Sequence, residues 1–295
     1  MERATGTSRL TAIRALVKAS PAWPAAHYVR SALAARANRA AFRSVRTYCL
    51  FVGHARSGHS ILGALLDAHR RAVVSDELDA LRYLGWGFGR DQLLQLSLDV
   101  SRAQAQGERR KAGRDGRTYS YFVPGQWQGR FEELLVVGDS KAGWTTRRLA
   151  ADPSLLDRVE RVMAPIEVRF VHVVRNPFDN VSTMVIRSGR PLDEAIERYF
   201  ENCRTIVALA ARIGPDRVLR VAHEDLVERP RETLRETCRF LGLDAPDDYL
   251  AACAGILFPT PSRSRDRVPW SAERRERVAR EIERFEFLAG YTFDA

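Results

Sequence analysis

The sequence has few cysteines and no metal-binding pattern. Only four of its 295 residues are cysteine, namely Cys49, Cys203, Cys238 and Cys253. They form neither a C-x-x-C motif nor a His/Cys cluster with the spacing of metal ligands. The pattern excludes the common zinc sites and predicts a protein without a resident metal. Scattered cysteines of this kind are typical of a reducing compartment, so we expect a cytoplasmic protein.

Long apolar runs and acidic residues are both scarce at the start of the chain. Residues 1–46 are rich in Ala and Arg, and no apolar stretch among them approaches the ~20 residues needed to cross a membrane. Basic residues recur throughout, and Pro21 and Pro24 interrupt the least polar part, so no secretory signal is expected either. We predict a basic, loosely packed helical N-terminal extension over 1–46; weak peripheral contact with a membrane or a partner is the alternative.

Positive charge is in excess over the whole chain. There are 47 lysines and arginines against 37 acidic residues, a formal net charge of +10. This balance indicates an anionic partner, which can be nucleic acid, a membrane surface or a phosphorylated cofactor; the alternative is a solvated Arg-rich surface. The length fits one large α/β domain or two small ones.

Strand-like and helix-like segments alternate along the rest of the chain. Short apolar runs predict strands at 48–52, 72–74, 134–137, 168–174 and 218–221. Helical periodicity favours helices at 61–69, 91–105, 155–163, 192–211 and 230–241. This alternation predicts a parallel sheet with helices on both faces, whose ligands bind at the carboxyl ends of the strands. The polar stretch 106–130 is predicted to be a long functional loop, and its Arg-rich part, 110–117, favours something acidic as its ligand.

A glycine-bounded loop follows the first predicted strand. Gly53, Gly58 and Ser60 have the spacing of a Walker A loop, in which backbone N–H groups and a helix N-terminus hold phosphate. His59 stands where a nucleotide triphosphatase has lysine. The loop therefore predicts phosphate binding and argues against an ATPase.

Polar residues also follow the other predicted strands. The relevant segments are Ser75-Asp76-Glu77, Asp139-Ser140-Lys141, Arg175-Asn176-Pro177 and His223-Glu224-Asp225-Leu226. Because the carboxyl ends of parallel strands meet at one edge of a sheet, we expect these side chains to lie near the phosphate loop.

Together these segments resemble the sulfotransferases that use 3′-phosphoadenosine 5′-phosphosulfate (PAPS), and most of all the tyrosylprotein sulfotransferase branch. The resemblance runs from Thr47 to the C-terminus and implies one sulfotransferase domain over 47–295. It also implies a P-loop nucleoside-kinase-like fold with a central parallel sheet.

Two consecutive motifs carry the resemblance at the phosphate loop. The family's R-S-G-T-T loop is similar to Arg56-Ser57-Gly58-His59-Ser60, and its M-L-D-A-H helix is similar to Leu65-Leu66-Asp67-Ala68-His69. The match implies that Arg56, Ser57, Gly58, His59 and Ser60 bind the 5′-phosphosulfate.

A second set of residues resembles the family's 3′-phosphate site. Arg175, Thr183 and Arg187 match its arginine, serine and arginine in spacing, and Ser182 beside Thr183 is the alternative hydroxyl. His223 replaces a tyrosine that packs near the nucleotide. Arg263, Arg265 and Arg267 resemble the basic loop that closes over the 3′-phosphate.

The resemblance also implies the catalytic groups. Lys141 matches the family's catalytic lysine, while Arg56 contacts the sulfuryl oxygens. Glu77, at the family's spacing from the loop arginine, is the predicted general base, with Asp76 as the alternate; His54 or His59 could also serve. No metal is required, because arginines and the helix dipole stabilise the charge.

The sequence thus predicts transfer of a sulfuryl group from PAPS to a hydroxyl of a metabolite, glycan or tyrosyl acceptor. One alternative is a P-loop kinase or ATPase, which the histidine in the lysine position disfavours. The other is a nucleic-acid-binding protein, which would need a stacking platform or a basic stripe. The arginines instead collect at strand ends and in the N-terminal extension, so nucleic acid is not expected to be a partner.

Overall fold

The computed structural model describes residues 22–107, 110–112 and 118–294. Residues 1–21 of the predicted extension and residues 113–117 of the Arg-rich loop lie outside the described residues. The central sheet is parallel, with five strands in the order β2-β5-β1-β6-β7. The strands are β1 Thr47–Gly53, β2 Ala72–Ser75, β5 Val136–Asp139, β6 Glu167–Val174 and β7 Val218–Ala222.

Helices cover both faces of this sheet. They are α1 Ala22–Ala37, α2 Arg39–Phe42, α3 His59–Asp67, α4 Ala80–Gly85, α5 Arg90–Gln106, α6 Ala142–Ala151, α7 Ser154–Met163, α8 Pro177–Ser188, α9 Leu192–Ile213, α10 His223–Glu228, α11 Pro230–Leu241, α12 Asp247–Ala254 and α13 Ala272–Ile282. Short 3-10 turns span Pro215–Arg217, Ser264–Arg267 and Glu286–Leu288. The predicted α/β fold class is confirmed.

The central strand β1 explains why both faces need covering. All seven of its residues are buried. Tyr48 and Leu50 belong to one apolar cluster, with α1, α4, α5 and α7, whereas Cys49 and Phe51 belong to another, with α3, α11 and α12. Successive side chains of a strand point to opposite sides, so an uninterrupted apolar run needs a layer of helices on each side.

The register of the strands brings the predicted site segments to one edge. Gly53 at the end of β1 pairs with Val173 of β6, Ser75 of β2 pairs with Asp139 of β5, and Val174 pairs with Ala222 of β7. Each of the segments quoted above therefore begins at the same edge of the sheet.

Several helix ends form as their sequences indicate. Pro177 opens α8, and the Oδ1 atom of Asn176 accepts a hydrogen bond from the N–H of Phe178 at 3.0 Å. Ser271 caps α13 by accepting from the N–H of Arg274 at 3.3 Å. Gly242 ends α11 in the left-handed conformation, with φ of 79°.

Other elements differ from the expectation. The predicted loop 106–130 contains a two-stranded antiparallel sheet, β3 Arg110–Ala112 with β4 Thr118–Ser120. Strand β5 begins two residues later than predicted, because the N–H groups of Leu135 and Val136 bond to the carbonyl of Arg71 before the ladder with β1 begins. Apolar character alone does not mark where pairing starts.

Residues 22–42 of the predicted extension are helical, and they pack on α5. The Nε2 atom of Gln92 donates to the carbonyl of Tyr28 at 2.9 Å, and the Nδ2 atom of Asn38 donates to the Oε1 atom of Gln95 at 2.8 Å. Phe42 and Val45 are buried. None of the helices in the described part of the chain is long and apolar enough to cross a membrane.

Candidate active site

A cavity of about 840 Å³ lies at the carboxyl edge of the sheet. It is lined by residues that follow each of the strands β1, β2, β5, β6 and β7, among them Arg56, Glu77, Lys141, Arg175 and His223. Open α/β sheets bind their ligands at this place because the connections diverge there and leave a crevice. The cavity is therefore the candidate active site.

The loop between β1 and α3 has three residues with positive φ, namely Gly53, Arg56 and Gly58, at 124°, 71° and 100°. Two features favour glycine at position 58. Its φ is positive, and a Cβ atom there would lie 2.4 Å from the Nδ1 atom of His223. Arg56 is held in a conformation that residues other than glycine seldom adopt, and its guanidinium group is exposed to the cavity. Such strain is typical of functional loops.

Neighbouring elements fix this loop by hydrogen bonds to its backbone. The N–H of Gly53 donates to the Oγ1 atom of Thr146 on α6 at 2.8 Å. The Nδ2 atom of Asn180 on α8 donates to the carbonyl of Ala55 at 2.9 Å, and that of Asn202 on α9 donates to the carbonyl of Gly53 at 2.9 Å. The loop thus has a preformed shape.

Asp76, the alternate candidate for the base, braces the loop. It is 2% exposed, and its Oδ1 atom accepts from the hydroxyls of Ser60 at 3.1 Å and Ser140 at 2.9 Å. It therefore joins the first turn of α3 to the segment that precedes α6. A carboxylate held in this way positions its neighbours and is poorly placed to take a proton from a substrate.

Glu77 and Lys141, the predicted base and the predicted catalytic lysine, form an ion pair in the cavity. The side chain of Glu77 is 46% exposed, whereas that of Asp76 is buried, and the backbone of Glu77 has a positive φ of 71°. Burial, and then the charge of Arg56, lower the pKa of Lys141.

Asp139 connects the segments that carry this ion pair. Its Oδ2 atom accepts from the N–H of Ala80 at 2.8 Å, and the backbone of Leu78 and Lys141 also donates to it. The side chain is fully buried, and burial raises its pKa to about 7. Asp139 thus holds the residues after Glu77 and Lys141 itself in fixed relative positions.

Arg175, which follows β6, lines the cavity beside the phosphate loop. Its guanidinium group donates to the carbonyl of Arg56 at 3.3 Å, to the Oγ1 atom of Thr183 at 3.2 Å and to the carbonyl of Ser262 at 2.7 Å. Thr183 in turn donates to the hydroxyl of Ser264 at 2.9 Å. These three partners are one side-chain hydroxyl and two backbone carbonyls, which fix the position of the guanidinium group at the wall of the cavity.

The cavity brings together most of the residues that the sequence predicted. Arg56, Gly58, His59, Ser60, Glu77, Lys141, Arg175, Thr183, Arg187 and His223 all line it, and so does Arg267. Ser57 does not; its hydroxyl donates to the carbonyl of His54 at 3.0 Å inside the loop. Ser182 does not either, because its hydroxyl accepts from the Nε1 atom of Trp270 at 2.9 Å. Thr183 is therefore the hydroxyl beside Arg175.

The side chains of Arg263 and Arg265 are placed outside the cavity. Arg265 is only 4% exposed and forms a two-point ion pair with Asp179, at 2.6 and 3.1 Å. Arg263 is exposed, pairs with Asp266 and donates to the carbonyl of Asp294. Neither lines the cavity, because Asp179 holds the guanidinium group of Arg265, and Asp266 and the carbonyl of Asp294 bind that of Arg263. The same turn contributes Ser264 and Arg267 instead.

The histidines have distinct environments. His54 lies outside the cavity, stacked on the ring of Tyr199 at 3.9 Å, and burial lowers its pKa to about 4. His59 lines the cavity beside Ser60. Burial, and then the charge of Arg175, lower the pKa of His223 to about 3, so this imidazole is neutral. His54 is thus excluded from contact with a ligand in the cavity.

Sequence reasoning missed three kinds of residue in this site. Ser264 escaped notice because the arginines on either side of it dominated the motif. Trp144 and Arg147 on α6 line the cavity, but a helix face carries no local signal of what it faces. The sequence placed Asp139 at the end of a predicted strand, but its role of binding the backbone near Glu77 and Lys141 was not predicted.

The described residues contain no group of three or more His, Cys, Asp or Glu side chains that could hold a metal ion. Cations line the cavity instead. The arrangement can hold anionic groups at two places, the phosphate loop with Arg56 and the pair of Arg175 with Thr183.

Comparison with known sequences gives one clear result. The model of the sulfotransferase family matches residues 50–247, which is about two thirds of the chain. The search of curated proteins found no match.

Several solved structures are similar to this one at low sequence identity. The sulfotransferase domain of the Synechococcus PCC 7002 olefin synthase is 20% identical, over 82% of this chain and 94% of that one, with a TM-score of 0.49. A sulfotransferase from Alicyclobacillus acidocaldarius is 16% identical, over 83% and 96%, with a TM-score of 0.46. A mouse sulfotransferase, SULT7A1, complexed with PAP, is 11% identical, over 78% and 71%, with a TM-score of 0.38.

Proposed function

Because the chain belongs to the sulfotransferase family, we propose that it transfers a sulfuryl group from PAPS to an acceptor hydroxyl and leaves 3′-phosphoadenosine 5′-phosphate (PAP). The sulfotransferase family and the α/β fold class with a central parallel sheet, both predicted from the sequence, are confirmed. Membership of the tyrosylprotein branch, the cytoplasmic location and the absence of nucleic acid as a partner stay predictions.

The observation that carries this proposal is that two groups of residues suited to binding anions line the same cavity. The phosphate loop with Arg56 forms the first, and Arg175 with Thr183 forms the second. A nucleoside triphosphate carries all its phosphates at one end, whereas PAPS is charged at both ends. Two sites therefore suit a nucleotide phosphorylated at the 3′ and 5′ positions better than they suit ATP.

The residues present fit such a nucleotide. Arg56, Arg187 and Arg267 face the cavity, and none of them pairs with a carboxylate of a described residue. Gly58 lines the cavity, so an anion can approach the backbone of the loop there, and the N-terminus of α3 follows directly. We infer that Arg56, Gly58 and Ser60 hold the 5′ end.

At the other end, we infer that Arg175, Thr183 and Arg187 hold the 3′-phosphate. An arginine presents several N–H donors in one plane, and phosphate can accept two of them together. The hydroxyl of Thr183 already contacts both Arg175 and Ser264, so it is oriented before any ligand binds.

PAPS, when bound, supplies an activated sulfuryl group whose leaving group is the 5′-phosphate. The side chains of the chain must then take a proton from the acceptor and balance charge on the leaving oxygen. Glu77 is the exposed carboxylate in the cavity and is assigned as the general base. Lys141 contacts it, and its lowered pKa suits donation of a proton or of a hydrogen bond to the leaving phosphate. Arg56 supplies positive charge beside the sulfuryl oxygens.

Calorimetry tests the donor assignment. PAP should bind at least tenfold more tightly than AMP, because AMP lacks the 3′-phosphate that Arg175 recognises. ATP with magnesium should bind weakly and should not be hydrolysed. A preference for ATP would overturn the proposal and favour a P-loop kinase. Transfer of label from PAPS to phenolic and sugar hydroxyls would then test the reaction itself.

A further inference from the structure

The N-terminal helices carry positive charge that no acidic residue of their own segment balances. No Asp or Glu occurs in the sequence from Arg3 to Leu66. Within residues 22–46 every arginine is exposed; they are Arg30, Arg36, Arg39, Arg43 and Arg46. None of these five forms an ion pair with a described residue, whereas Arg70 and Arg148, for example, each bind an aspartate at 2.6 Å. The charge of this segment is therefore left for an external partner.

Helix α1 also exposes apolar side chains. Val29 and Leu33 are 57% and 58% exposed, and they are four residues apart, so they lie on one side of the helix. Ala26 and Ala37 continue the same side by helical spacing and are exposed as well. Apolar residues scattered singly over a surface are ordinary. Here they form a continuous stripe along the helix.

Arginines border this stripe. With roughly 3.6 residues per turn, Arg30 and Arg36 fall on its two sides. An arginine has an apolar stem and a charged end, so it can extend along an apolar layer while its guanidinium group reaches a phosphate. We call Val29, Arg30, Leu33 and Arg36 together the basic–apolar surface.

The opposite side of α1 is fixed to the rest of the domain. Ser31 and Ala35, also four residues apart, are buried. The Nε2 atom of Gln92 on α5 donates to the carbonyl of Tyr28 at 2.9 Å and to the hydroxyl of Ser31 at 3.4 Å. Packing thus uses one side of α1 and presents the basic–apolar surface outward in a fixed orientation.

This surface is separate from the active site. Gln92, which binds α1, lies near the start of α5, whereas Gln104 near its end donates to the carbonyl of Asp76 at 2.7 Å. Twelve residues of helix correspond to roughly 18 Å. No described residue before Ala55 lines the cavity. Changes to the basic–apolar surface should therefore leave the chemistry of the cavity unaffected.

The combination of charge and apolar area favours a lipid bilayer over other partners. A nucleic acid would bind the arginines through its phosphates and leave the apolar stripe in water. A second copy of the chain, paired through the same face, would bring arginines against arginines. The interface of an anionic bilayer suits both features, because apolar side chains enter the acyl boundary while basic side chains contact the headgroups.

We propose that the basic–apolar surface binds a membrane that contains anionic phospholipid. Val29 and Leu33 insert at the boundary between headgroups and acyl chains, and Arg30 and Arg36 contact lipid phosphates. Helix α1 then lies in the plane of the membrane rather than across it. The inference does not depend on the proposed sulfuryl transfer.

Cosedimentation of the full chain with lipid vesicles provides the test. One set of vesicles is phosphatidylcholine alone, and the other has one third of it replaced by phosphatidylglycerol. An arginine near an anionic surface contributes roughly fivefold to binding, so two of them should favour the mixed vesicles at least tenfold. Binding should weaken as salt is raised, because salt screens the lipid charge. Equal binding to both sets, or none to either, overturns the inference.

Variants locate the contact. Leu33→Ser and Arg36→Gln should each weaken binding to the mixed vesicles severalfold, with affinity for PAP unchanged. The matched controls are Val207→Ser and Arg204→Gln, which change an exposed apolar residue and an exposed arginine on α9 and should bind as the natural protein does. If Leu33→Ser fails to fold, Val29→Ser takes its place.

Three results would contradict the membrane assignment. One is binding to vesicles that neither variant of α1 weakens. Another is tighter binding to a short DNA duplex than to the mixed vesicles, which would assign the surface to nucleic acid. The third is a dimer in sedimentation that Leu33→Ser dissociates, which would assign the surface to a second copy of the chain. Failure to bind PAP bears only on the proposed function.

Discussion

The substitution Gly58→Ala tests the phosphate loop most directly, because the structure gives two separate reasons why it should be harmful. The backbone of Gly58 has φ of 100°, and an added Cβ atom would lie 2.4 Å from the Nδ1 atom and 3.1 Å from the Cγ and Cε1 atoms of His223. These are ring atoms of an imidazole packed beside Arg175, so the clash cannot be relieved by bending a flexible chain end.

The cost can be divided between the two causes. A left-handed conformation costs a residue with a Cβ atom roughly 1–2 kcal/mol. Overpacking against a fixed neighbour adds typically about 1–3 kcal/mol. Gly189 ends α8 with φ of 71° and has open space where a Cβ atom would be, so Gly189→Ala should pay only the first cost. The difference between the two variants is then the cost of the contact with His223.

Urea unfolding and calorimetry with PAP measure these effects. Gly58→Ala should be less stable than Gly189→Ala by about 1–3 kcal/mol, and it alone should lose affinity for PAP. Replacing His223 by alanine in the Gly58→Ala protein removes the ring and should restore part of the lost stability, which makes the coupling between the two positions measurable. Equal stability of the two glycine variants, with no recovery in the double variant, would refute the reasoning.

Four other predictions follow from the site. Glu77→Gln should bind PAP as before but lower kcat by about 10²–10⁴-fold, as expected for a lost general base; unchanged turnover would exclude Glu77. Arg175→Gln should weaken PAP at least tenfold and leave AMP unaffected, measured by calorimetry. Burial and then the charge of Arg56 lower the pKa of Lys141. The apparent pKa of the basic limb in a plot of kcat/KM against pH should therefore lie below the ordinary lysine value, and Arg56→Gln should raise it. Burial raises the pKa of Asp139 to about 7, so the folded protein holds a proton that the unfolded chain has released. Stability should therefore fall between about pH 4 and pH 7, by at most roughly 4 kcal/mol from this group, and urea unfolding of Asp139→Asn should show a smaller fall.

The sequence predicted the parts of the site that depend on topology alone. Once parallel strands are inferred, Glu77, Lys141 and Arg175 must meet at one edge, because each directly follows a strand. A side chain's direction within an irregular loop depends on partners that are distant in sequence. Arg265 turns inward because Asp179, 86 residues away, forms an ion pair with it. No spacing rule contains that information.

The acidic residues of the site also differ in the partners that they bind. Of Asp76, Glu77 and Asp139, which end or follow β2 and β5, only Glu77 lines the cavity. Asp76 is occupied by the hydroxyls of Ser60 and Ser140, and Asp139 by backbone N–H groups. Removing either buried carboxylate would leave hydrogen-bond donors unsatisfied on two different segments. The expected effect is a change in the relative positions of Glu77 and Lys141, because these segments carry the ion pair. Asp76 and Glu77 are adjacent in the sequence but have different roles, because Asp76 holds the phosphate loop in place while Glu77 faces the cavity.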